Sequence, residues 1–587
     1  MHALDVFNLL SLIGGLTFFL YGMNVMSSSL EKMAGGRLEE MLRRMTANPL
    51  LSMVLGAVIT IAMQSSSATT VMLVGLVNSG IMQFSQTIHI IFGANVGTTL
   101  TAWITSLSGI QSDLFWVQML KPKNFSPLLA FAGILMLMLS KKDRKKTVGT
   151  VLVGFAVLMY GMEMMSGAVS PLADMPEFES LLVQFSNPLL GVLIGAVFTG
   201  IIQSSAASMG ILQALSMTGS ITYVMALPII MGLNIGTCAT SLISCIGTNV
   251  KARRVAILHV SIKIIGTLIL LPLFLLGNSL FHWSFVTQAA KPWDIALLHT
   301  IFNLLTCALL MPVAGRLVNL TERLVKDHSH PADTASQPQL DELLLRSPSV
   351  AVGESFHVSK DMCRQAHEIL QLAIGLFDRF DEGTEQRILQ MEDSLDNFED
   401  KLGTYLVKLS SQALSSEDSQ VVSKILHAIG DFERLGDHAC NLVKVAREIH
   451  EKQVSFSPNA TREIKVLTDA IQEILNITAC AYDGDSVELA AKVEPLEQVI
   501  DRLTVQIKNN HVKRLQHGAC TIEGGFILAD LLNNYERISD HCSNIAVAII
   551  EVEHNSFDTH KYLNGVKYGN SVFNEIYDSF DKKYALK

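Results

Sequence analysis

The stretch Gln64-Ser65-Ser66-Ser67-Ala68-Thr69-Thr70 stands in the middle of a long, mainly apolar region. No Lys, Arg, Asp or Glu occurs between residues 46 and 112, so this polar stretch is predicted to lie where full charges are excluded. A polar group taken into hydrocarbon without a partner loses several kcal/mol. The stretch therefore needs partners. Two interpretations are open: close packing of membrane helices through small residues, or a site for a polar ligand.

The polar stretch occurs twice in the chain. Gln203-Ser204-Ser205-Ala206-Ala207-Ser208 follows 139 positions later, and other segments recur at the same offset. These are residues 21–23 with 160–162, residues 48–51 with 187–190, and Asn95, Gly97 and Thr98 with Asn234, Gly236 and Thr237. The same offset of 139 positions in every pair of segments indicates an internal structural duplication. In membrane proteins such repeats usually place the substrate site at their interface, near the bilayer midplane.

The charge balance changes sharply near residue 320. Residues 1–320 carry 17 Lys and Arg against 11 Asp and Glu, whereas the remainder carries 27 against 43. We therefore expect a membrane domain at 1–320, a proline-containing linker at 321–352 and an acidic soluble domain at 353–587. The eight cysteines show no CxxC pair and no zinc spacing, which predicts reduced thiols. No DNA-binding signature is present, so nucleic acid is not an expected partner.

The apolar pattern predicts an all-α membrane domain. Segments long enough, or nearly long enough, to cross a bilayer lie at 6–28, 86–109, 125–140, 148–168, 222–247, 255–276 and 297–317. Two regions between them are shorter, begin at Pro49 and Pro188, and are broken at the polar stretches. These breaks predict re-entrant helical hairpins, one in each repeat. The repeats are expected at about 1–112 and 148–250.

The distribution of Lys and Arg predicts the orientation of the chain. The basic segments 32–44, 141–146 and 251–254 are expected in the cytoplasm. The second-repeat counterpart of the first of these, 170–186, has no Lys or Arg and carries three acidic residues, so it is expected outside. The repeats are then inverted, as in alternating-access transporters. Seven crossings that start outside leave the acidic domain in the cytoplasm of a multi-pass protein of the cytoplasmic (inner) membrane.

The duplicated polar stretch resembles the QSSS signature of the bacterial type II sodium/phosphate cotransporters. The match is close at residues 64–67, and Ala206 departs from it in the second copy. An NxGT motif also occurs in each repeat. The resemblance implies that phosphate is bound by Gln64, Ser65, Ser66, Ser67, Gln203, Ser204 and Ser205. It implies that co-transported sodium is bound by Gln64, Asn95, Thr98, Gln203, Asn234 and Thr237. Phosphate, sodium and the lipid bilayer are the expected partners, and a homo-oligomer is one option.

Elementary chemistry agrees with this resemblance. Backbone N–H groups at a broken helix start, together with Ser hydroxyls, suit phosphate oxygens. Residues 45–112 and 180–250 contain no Lys or Arg that could neutralise the anion, and sodium held by oxygen ligands would do so. Lys263 shares a helix face with His259, and three interpretations remain open for it: a role in the site, snorkelling towards the interface, or internal pairing. Glu163 is either a coupling residue or an interfacial carboxylate.

A second duplication lies in the acidic domain. Glu433, Asp437 and His438 recur 103 positions later as Glu536, Asp540 and His541, within a pattern that is helical throughout. Two three-helix bundles are expected, and residues 356–553 resemble the PhoU family, whose ExxxD motifs bind metal clusters and which regulates phosphate uptake. The resemblance implies a multivalent metal bound by Glu392, Asp396, Glu433, Asp437, Glu497, Asp501, Glu536 and Asp540. An ordinary solvated acidic surface is the alternative.

The sequence thus predicts sodium-coupled transport of inorganic phosphate, with a cytoplasmic tail that regulates the flux. Two alternatives stay open. One is a sodium-coupled carrier of another small anion, and the other is a membrane phosphate sensor with a signalling tail. An enzyme is not expected, because no nucleophile and base can be placed in one site.

Overall fold

The computed structural model describes residues 6–34, 48–79, 82–109, 121–171, 187–326, 340–412, 414–554 and 571–586. All regular secondary structure in these ranges is helical, which confirms the all-α fold. The chain divides into two compact units. The first contains 1–330 and 341–350, and the second contains 331–340 and 351–587.

The first unit contains the helices that follow the apolar segments. They are α1 Val6–Ala34, α2 Pro49–Met63, α3 Ser66–Asn78, α4 Thr87–Gly97, α5 Thr99–Ser106, α6 Pro122–Leu139, α7 Asp143–Val169, α8 Pro188–Ile202, α9 Ser205–Ser216, α10 Tyr223–Gly236, α11 Cys238–Ser244, α12 Val250–Phe281, α13 Pro292–Leu310 and α14 Ala314–Leu324. Six spans in the described residues are long and apolar enough to cross a membrane. The apolar part of α6 is shorter, at Asn124–Leu139. The first unit is therefore a multi-pass membrane domain.

The predicted re-entrant break is present in the first repeat. Helices α2 and α3 are bent by 119° at a break of two residues, Gln64 and Ser65. The start of α2 is fixed by Asn48, whose side chain accepts hydrogen bonds from the N–H groups of Leu50 and Leu51, while Pro49 occupies the first helical turn. Asn187 and Pro188 start α8 in the same way. The local sequence therefore sets where each hairpin begins.

Glycine contacts hold each hairpin to the helix that follows it. A Cβ on Gly93 of α4 would lie 1.9 Å from the carbonyl oxygen of Met53 in α2. In the second repeat, a Cβ on Gly232 of α10 would lie 2.1 Å from the carbonyl oxygen of Val192 in α8. Only glycine allows backbones to approach so closely. These two glycines are themselves 139 positions apart, so the duplication extends to the helix crossings.

The stretch 341–350, which the sequence places in the linker, packs in the first unit. Asn78 at the end of α3 donates from Nδ2 to a carboxylate oxygen of Asp341 at 2.8 Å. Leu344 is fully buried, and a Cβ on Gly75 would lie 2.8 Å from one of its methyl groups. The chain is therefore attached to the first hairpin just before it leaves the unit.

The second unit is built from long helices. From residue 348 onward they are α15 Pro348–Gly375, α16 Glu382–Ser410, α17 Ser416–Lys452, α18 Pro458–Gly484, α19 Val487–Ala490, α20 Val493–Gln516, α21 Ile522–His554 and α22 Ser571–Lys583. Helices α15 to α17 form one three-helix bundle, and α18, α20 and α21 form the other. The bundles meet along α17 and α21. There His438 Nδ1 hydrogen-bonds Asn534 Oδ1 at 2.9 Å, and His541 Nδ1 hydrogen-bonds Asp431 Oδ1 at 2.8 Å.

Candidate phosphate and sodium site

The first hairpin turns at a glutamine in an unusual backbone conformation. Gln64 has φ 51° and ψ 22°, the left-handed region, which costs a residue with a side chain roughly 1–2 kcal/mol. Ser65 follows in an extended conformation and caps α3, because its hydroxyl accepts the N–H of Ala68 at 3.1 Å. Gln64 therefore ends α2, and Ser65, the next residue, starts α3.

The second hairpin repeats this turn residue by residue. Gln203 has φ 56° and ψ 19°, and the hydroxyl of Ser204 accepts the N–H of Ala207 at 3.2 Å. Both turns leave the first N–H groups of the following helix at the break. Backbone strain of this kind is characteristic of functional sites, where the surrounding structure holds it in place.

The first turn is enclosed by protein. Gln64 is 6% exposed and is fixed at both ends of its amide. Its Nε2 donates to the carbonyl oxygen of Ile61 at 2.7 Å, and its Oε1 accepts the Thr101 hydroxyl at 3.1 Å. The Ser27 hydroxyl of α1 donates to the carbonyl oxygen of Met63, next to the turn. Hydrogen bonds to α1, α2 and α5 therefore hold Met63 and Gln64 at this turn in place.

The two repeats touch each other through their hairpins. Helix α3 packs against α11 of the second repeat and against α12, which follows that repeat in the chain. At its start, the Ser67 hydroxyl donates to the carbonyl oxygen of Thr237 at 3.5 Å. In the other direction, Gln213 of α9 is fully buried and donates to the carbonyl oxygen of Ala102 at 2.9 Å. The structure thus brings Ser67 of one signature and Thr237 of the other repeat together.

The second turn is more open. Gln203 is exposed, and Ser204 and Ser205 are half-buried. Within the described residues, no side-chain hydrogen bond joins the residues of the two signatures directly to one another. Ala206 stands where Ser67 stands in the first repeat, so this turn lacks the corresponding hydroxyl. The two halves of the candidate site therefore have the same backbone but different access.

The two Asn-x-Gly-Thr motifs differ in a similar way. Asn95 is 1% exposed, and neither its amide nitrogen nor its amide oxygen has a hydrogen-bonding partner in the described structure. A buried amide without partners is unfavourable by about 1–3 kcal/mol for each unmet group. Asn234, its counterpart, is satisfied. Its Nδ2 donates to the carbonyl oxygen of Ile230 at 3.0 Å, and its Oδ1 accepts from the Lys263 ammonium at 2.8 Å.

Lys263 therefore reaches the candidate site. It is 2% exposed, and its ammonium also donates to Asn303 Oδ1 at 3.1 Å. The side chain does not snorkel, because it points into the protein. It is paired internally, with Asn234 of the NxGT motif and with Asn303. The sequence places Lys263 within an apolar span, and that is the only signal it gives. Asn303, Thr101 and Gln213 carry no motif and were not predicted to be near the site.

In the second unit, three of the predicted metal-binding residues converge. The carboxylate oxygens of Glu497, Asp501 and Asp540 all lie within 4.8 Å of one another. One oxygen of Asp501 is buried without a hydrogen-bonding partner. Burial raises the pKa of the Asp501 carboxyl, and the neighbouring Asp540 and Glu536 carboxylates raise it further. Such a set of oxygens suits a multivalent cation. Glu536 itself pairs with Lys508 at 3.3 Å.

The corresponding residues of the first bundle are more spread out. Burial raises the pKa of Glu392, Asp396 and Glu433, and the Asp437 carboxylate adds to each shift. The four therefore face one another across α16 and α17. In the described part of the chain, however, no three of them bring their oxygens within 4.8 Å of one another.

Known proteins share both units. The sequence profile of the Na+/Pi-cotransporter family matches residues 18–167 and 157–290, and that of the PhoU domain matches residues 360–446 and 464–549. YjbB of Salmonella typhimurium, whose name proposes inorganic phosphate export, is 24% identical over 552 residues; the alignment covers 92% of this chain and 97% of YjbB.

Two further proteins match shorter regions. The human sodium-dependent phosphate transport protein 2B is 35% identical over 101 residues, which is 17% of this chain and 15% of the human protein. The crystal structure of PhoU from Pseudomonas aeruginosa aligns with a TM-score of 0.33 and 20% identity, over 35% of this chain and 97% of PhoU. The first unit thus matches a family of transporters, which is not a class of enzymes. The chain belongs to the Na+/Pi-cotransporter family and carries a PhoU domain after its membrane domain.

Proposed function

We propose that this protein couples sodium to the movement of inorganic phosphate across the cytoplasmic membrane. The observation that carries the proposal is the duplicated turn. In each hairpin a left-handed Gln is followed by a capping Ser, and the two turns are 139 positions apart. Each hairpin is packed against a helix that ends at an Asn-x-Gly-Thr motif. A strained turn built twice in one register favours a shared ligand over simple helix packing.

Phosphate is held between the two turns. The backbone N–H groups at the starts of α3 and α9 donate to its oxygens, and helix starts favour anions. The side chains that take part are Gln64, Ser65, Ser66, Ser67, Gln203, Ser204 and Ser205. Ala206 supplies no hydroxyl, so the first hairpin contributes more donors than the second.

Sodium is held by neutral oxygens close to the phosphate. The ligands come from Gln64, Asn95, Thr98, Gln203, Asn234 and Thr237. Asn95 is the strongest of these candidates, because its buried amide has no partner within the described protein. Sodium takes oxygen ligands, and each ion stabilises the other in a site of low dielectric constant. This mutual stabilisation couples the movements of the two ions.

The phosphate gradient and the sodium gradient together set the direction of phosphate flux. The name of the relative YjbB concerns export, and that of the human relative concerns sodium dependence. A sodium-coupled carrier exports phosphate only when the outward phosphate gradient exceeds the inward drive of the sodium coupled to it. We propose that the repeats are inverted and expose the site alternately, and that the PhoU domain lies in the cytoplasm, binds a multivalent cation and regulates this flux.

The inverted arrangement predicts opposite labelling of equivalent helix ends. Met33 near the end of α1 and Ser170 just after α7 are both exposed. In a variant without native cysteines, M33C should be protected from an impermeant thiol reagent in intact cells, and S170C should react. Reaction of both from outside would contradict the inversion.

The transport proposal is tested with purified protein in sealed vesicles. Radioactive phosphate uptake should rise when sodium is high outside, and loaded phosphate should leave faster when sodium is high inside. Potassium in place of sodium is the control, and excess sulfate identifies a broader anion carrier if it competes. A phosphate flux that is the same with and without a sodium gradient, whichever way the gradient points, would contradict the coupling. The absence of any flux would favour a sensor.

A further inference from the structure

Lys263 places a basic side chain, an ammonium when it is protonated, inside the membrane domain. It lies midway along α12, is 2% exposed, and takes part in none of the ion pairs of the described residues. Its recorded partners are two neutral amide oxygens, Asn234 Oδ1 at 2.8 Å and Asn303 Oδ1 at 3.1 Å. An ammonium has three N–H donors, and a buried charge without a counter-charge is expensive. A site of this kind is stabilised when an anion arrives.

The oxygens around this ammonium are ligands of the type that sodium takes. The amide oxygen of Asn234 belongs to an Asn-x-Gly-Thr motif, and Asn303 supplies a second amide oxygen. In the first repeat, neither polar atom of the equivalent Asn95 amide has a hydrogen-bonding partner among the described residues. The same motif thus contacts a lysine in one repeat and no side chain of this kind in the other.

A short chain of contacts connects this ammonium to the first signature. The Ser67 hydroxyl donates to the carbonyl oxygen of Thr237 at 3.5 Å, and the Thr237 hydroxyl donates to the carbonyl oxygen of Asn234 at 2.6 Å. Asn234 in turn accepts from Lys263 through its side chain. Thr237 and Asn234 therefore connect the Lys263 side chain to Ser67, which is proposed to bind phosphate.

We infer that the Lys263 ammonium is the resident cation of the second repeat and occupies the place of a second exchangeable sodium ion. This inference rests on the proposed sodium-coupled function. Exchangeable sodium then binds at Asn95 and Thr98, while the second half of the site already carries a fixed positive charge that attracts phosphate. A lysine cannot be transported, so this half contributes to phosphate affinity without adding to the number of sodium ions moved.

Two substitutions separate the charge from the hydrogen bonds. Lys263→Gln removes the charge but keeps an N–H donor for Asn234, and Lys263→Arg keeps the charge. Lys251→Gln is the matched control, because Lys251 lies on the same helix but is exposed. The measurement is initial phosphate uptake by proteoliposomes as a function of sodium concentration. For K263Q we expect the half-saturating sodium concentration to rise about tenfold and the sodium dependence to become steeper, because a second sodium ion now binds. K251Q should retain the wild-type curve. K263R should keep the shape of the sodium dependence, even where the larger guanidinium lowers the maximal rate.

An unchanged sodium curve in folded K263Q would overturn the inference. If K263Q does not fold, the comparison of N95A with N234A decides in its place. N95A should raise the half-saturating sodium concentration about tenfold or more, whereas N234A should lower the maximal rate and shift that concentration by less than about twofold. Equal shifts in both would show two equivalent sodium sites and reject a resident ammonium. If the wild type itself shows no sodium-dependent phosphate flux, the proposed function has failed, and this inference falls with it.

Discussion

The two hairpins of the membrane domain have the same backbone and different surroundings. Gln64 and Gln203 adopt nearly the same left-handed conformation, and the serine after each caps the next helix. Gln64, however, is enclosed and fixed by Thr101, while Gln203 is exposed. Duplication has therefore preserved the local turn, while the packing around each copy has diverged.

This difference suggests how a duplicated site becomes an asymmetric one. The enclosed half has a buried amide, Asn95, whose polar atoms lack partners within the described residues. The open half has an amide, Asn234, that is already bonded to an ammonium. In our proposal the first half of the site binds a sodium ion from solution, whereas the second half is permanently occupied by the Lys263 ammonium. The PhoU domain shows the same tendency, since three carboxylates lie within 4.8 Å of one another in its second bundle and no three do so in the described part of its first.

The largest expected effect comes from replacing the glutamines at the turns. Gln64→Ala and Gln203→Ala should each reduce phosphate transport by about a hundredfold, because each removes a ligand made inside a low-dielectric site. Only Q64A should also lower stability, by about 1–3 kcal/mol, because it leaves the buried Thr101 hydroxyl without its acceptor. Vesicle uptake and thermal unfolding measure the two effects.

These two variants also serve as controls for each other. A Q203A protein that is folded yet inactive places the second turn in the site. Normal transport with unchanged sodium dependence in both variants would mean that the turns are structural only.

A smaller effect is expected from exchanging the residues that distinguish the two signatures. Ser67→Ala removes the hydroxyl that contacts Thr237 and gives the first turn the residue of the second. The apparent phosphate affinity should fall about tenfold, the size of one lost hydrogen bond to a charged group. Ala206→Ser, which restores the symmetry, should keep or raise that affinity. If A206S lowers the affinity as much as S67A does, the hydroxyl at this position is not a phosphate donor.

The smallest effect on transport is expected from the acidic residues of the soluble domain. E497Q combined with D501N and D540N should remove one bound multivalent ion per chain, as measured by elemental analysis of the purified full-length protein. The matched triple variant of the first bundle, E392Q with D396N and D437N, should lose less, because its oxygens do not converge. Equal metal content in wild type and both variants would leave these faces as solvated surface.

The sequence predicts the hairpins well, because their causes are local. Asn48 and Pro49 start one helix, Gln64 and Ser65 break it, and the same residues recur at a fixed offset. Residues 341–347 look like linker by composition, yet Asp341 and Leu344 are packed against α3.

The contacts that give the site its chemistry depend on tertiary structure. Nothing in the sequence pairs Ser67 with Thr237 or Lys263 with Asn234, since these residues meet only when the two repeats pack together. Asn303 lies outside every repeated block, so its role was not visible. The glycine pair Gly93 and Gly232 obeys the offset of 139 and could have been found, but an isolated glycine attracts little notice.

The most direct test of the account is to let phosphate drive sodium. Proteoliposomes are loaded with equal sodium on both sides, a phosphate gradient is imposed, and radioactive sodium is followed. Coupling is reciprocal, so phosphate running down its gradient should carry sodium with it and build up a sodium gradient. The double variant Q64A/Q203A should build none. Phosphate flux through the wild type without any net movement of sodium would contradict sodium coupling at the duplicated turns.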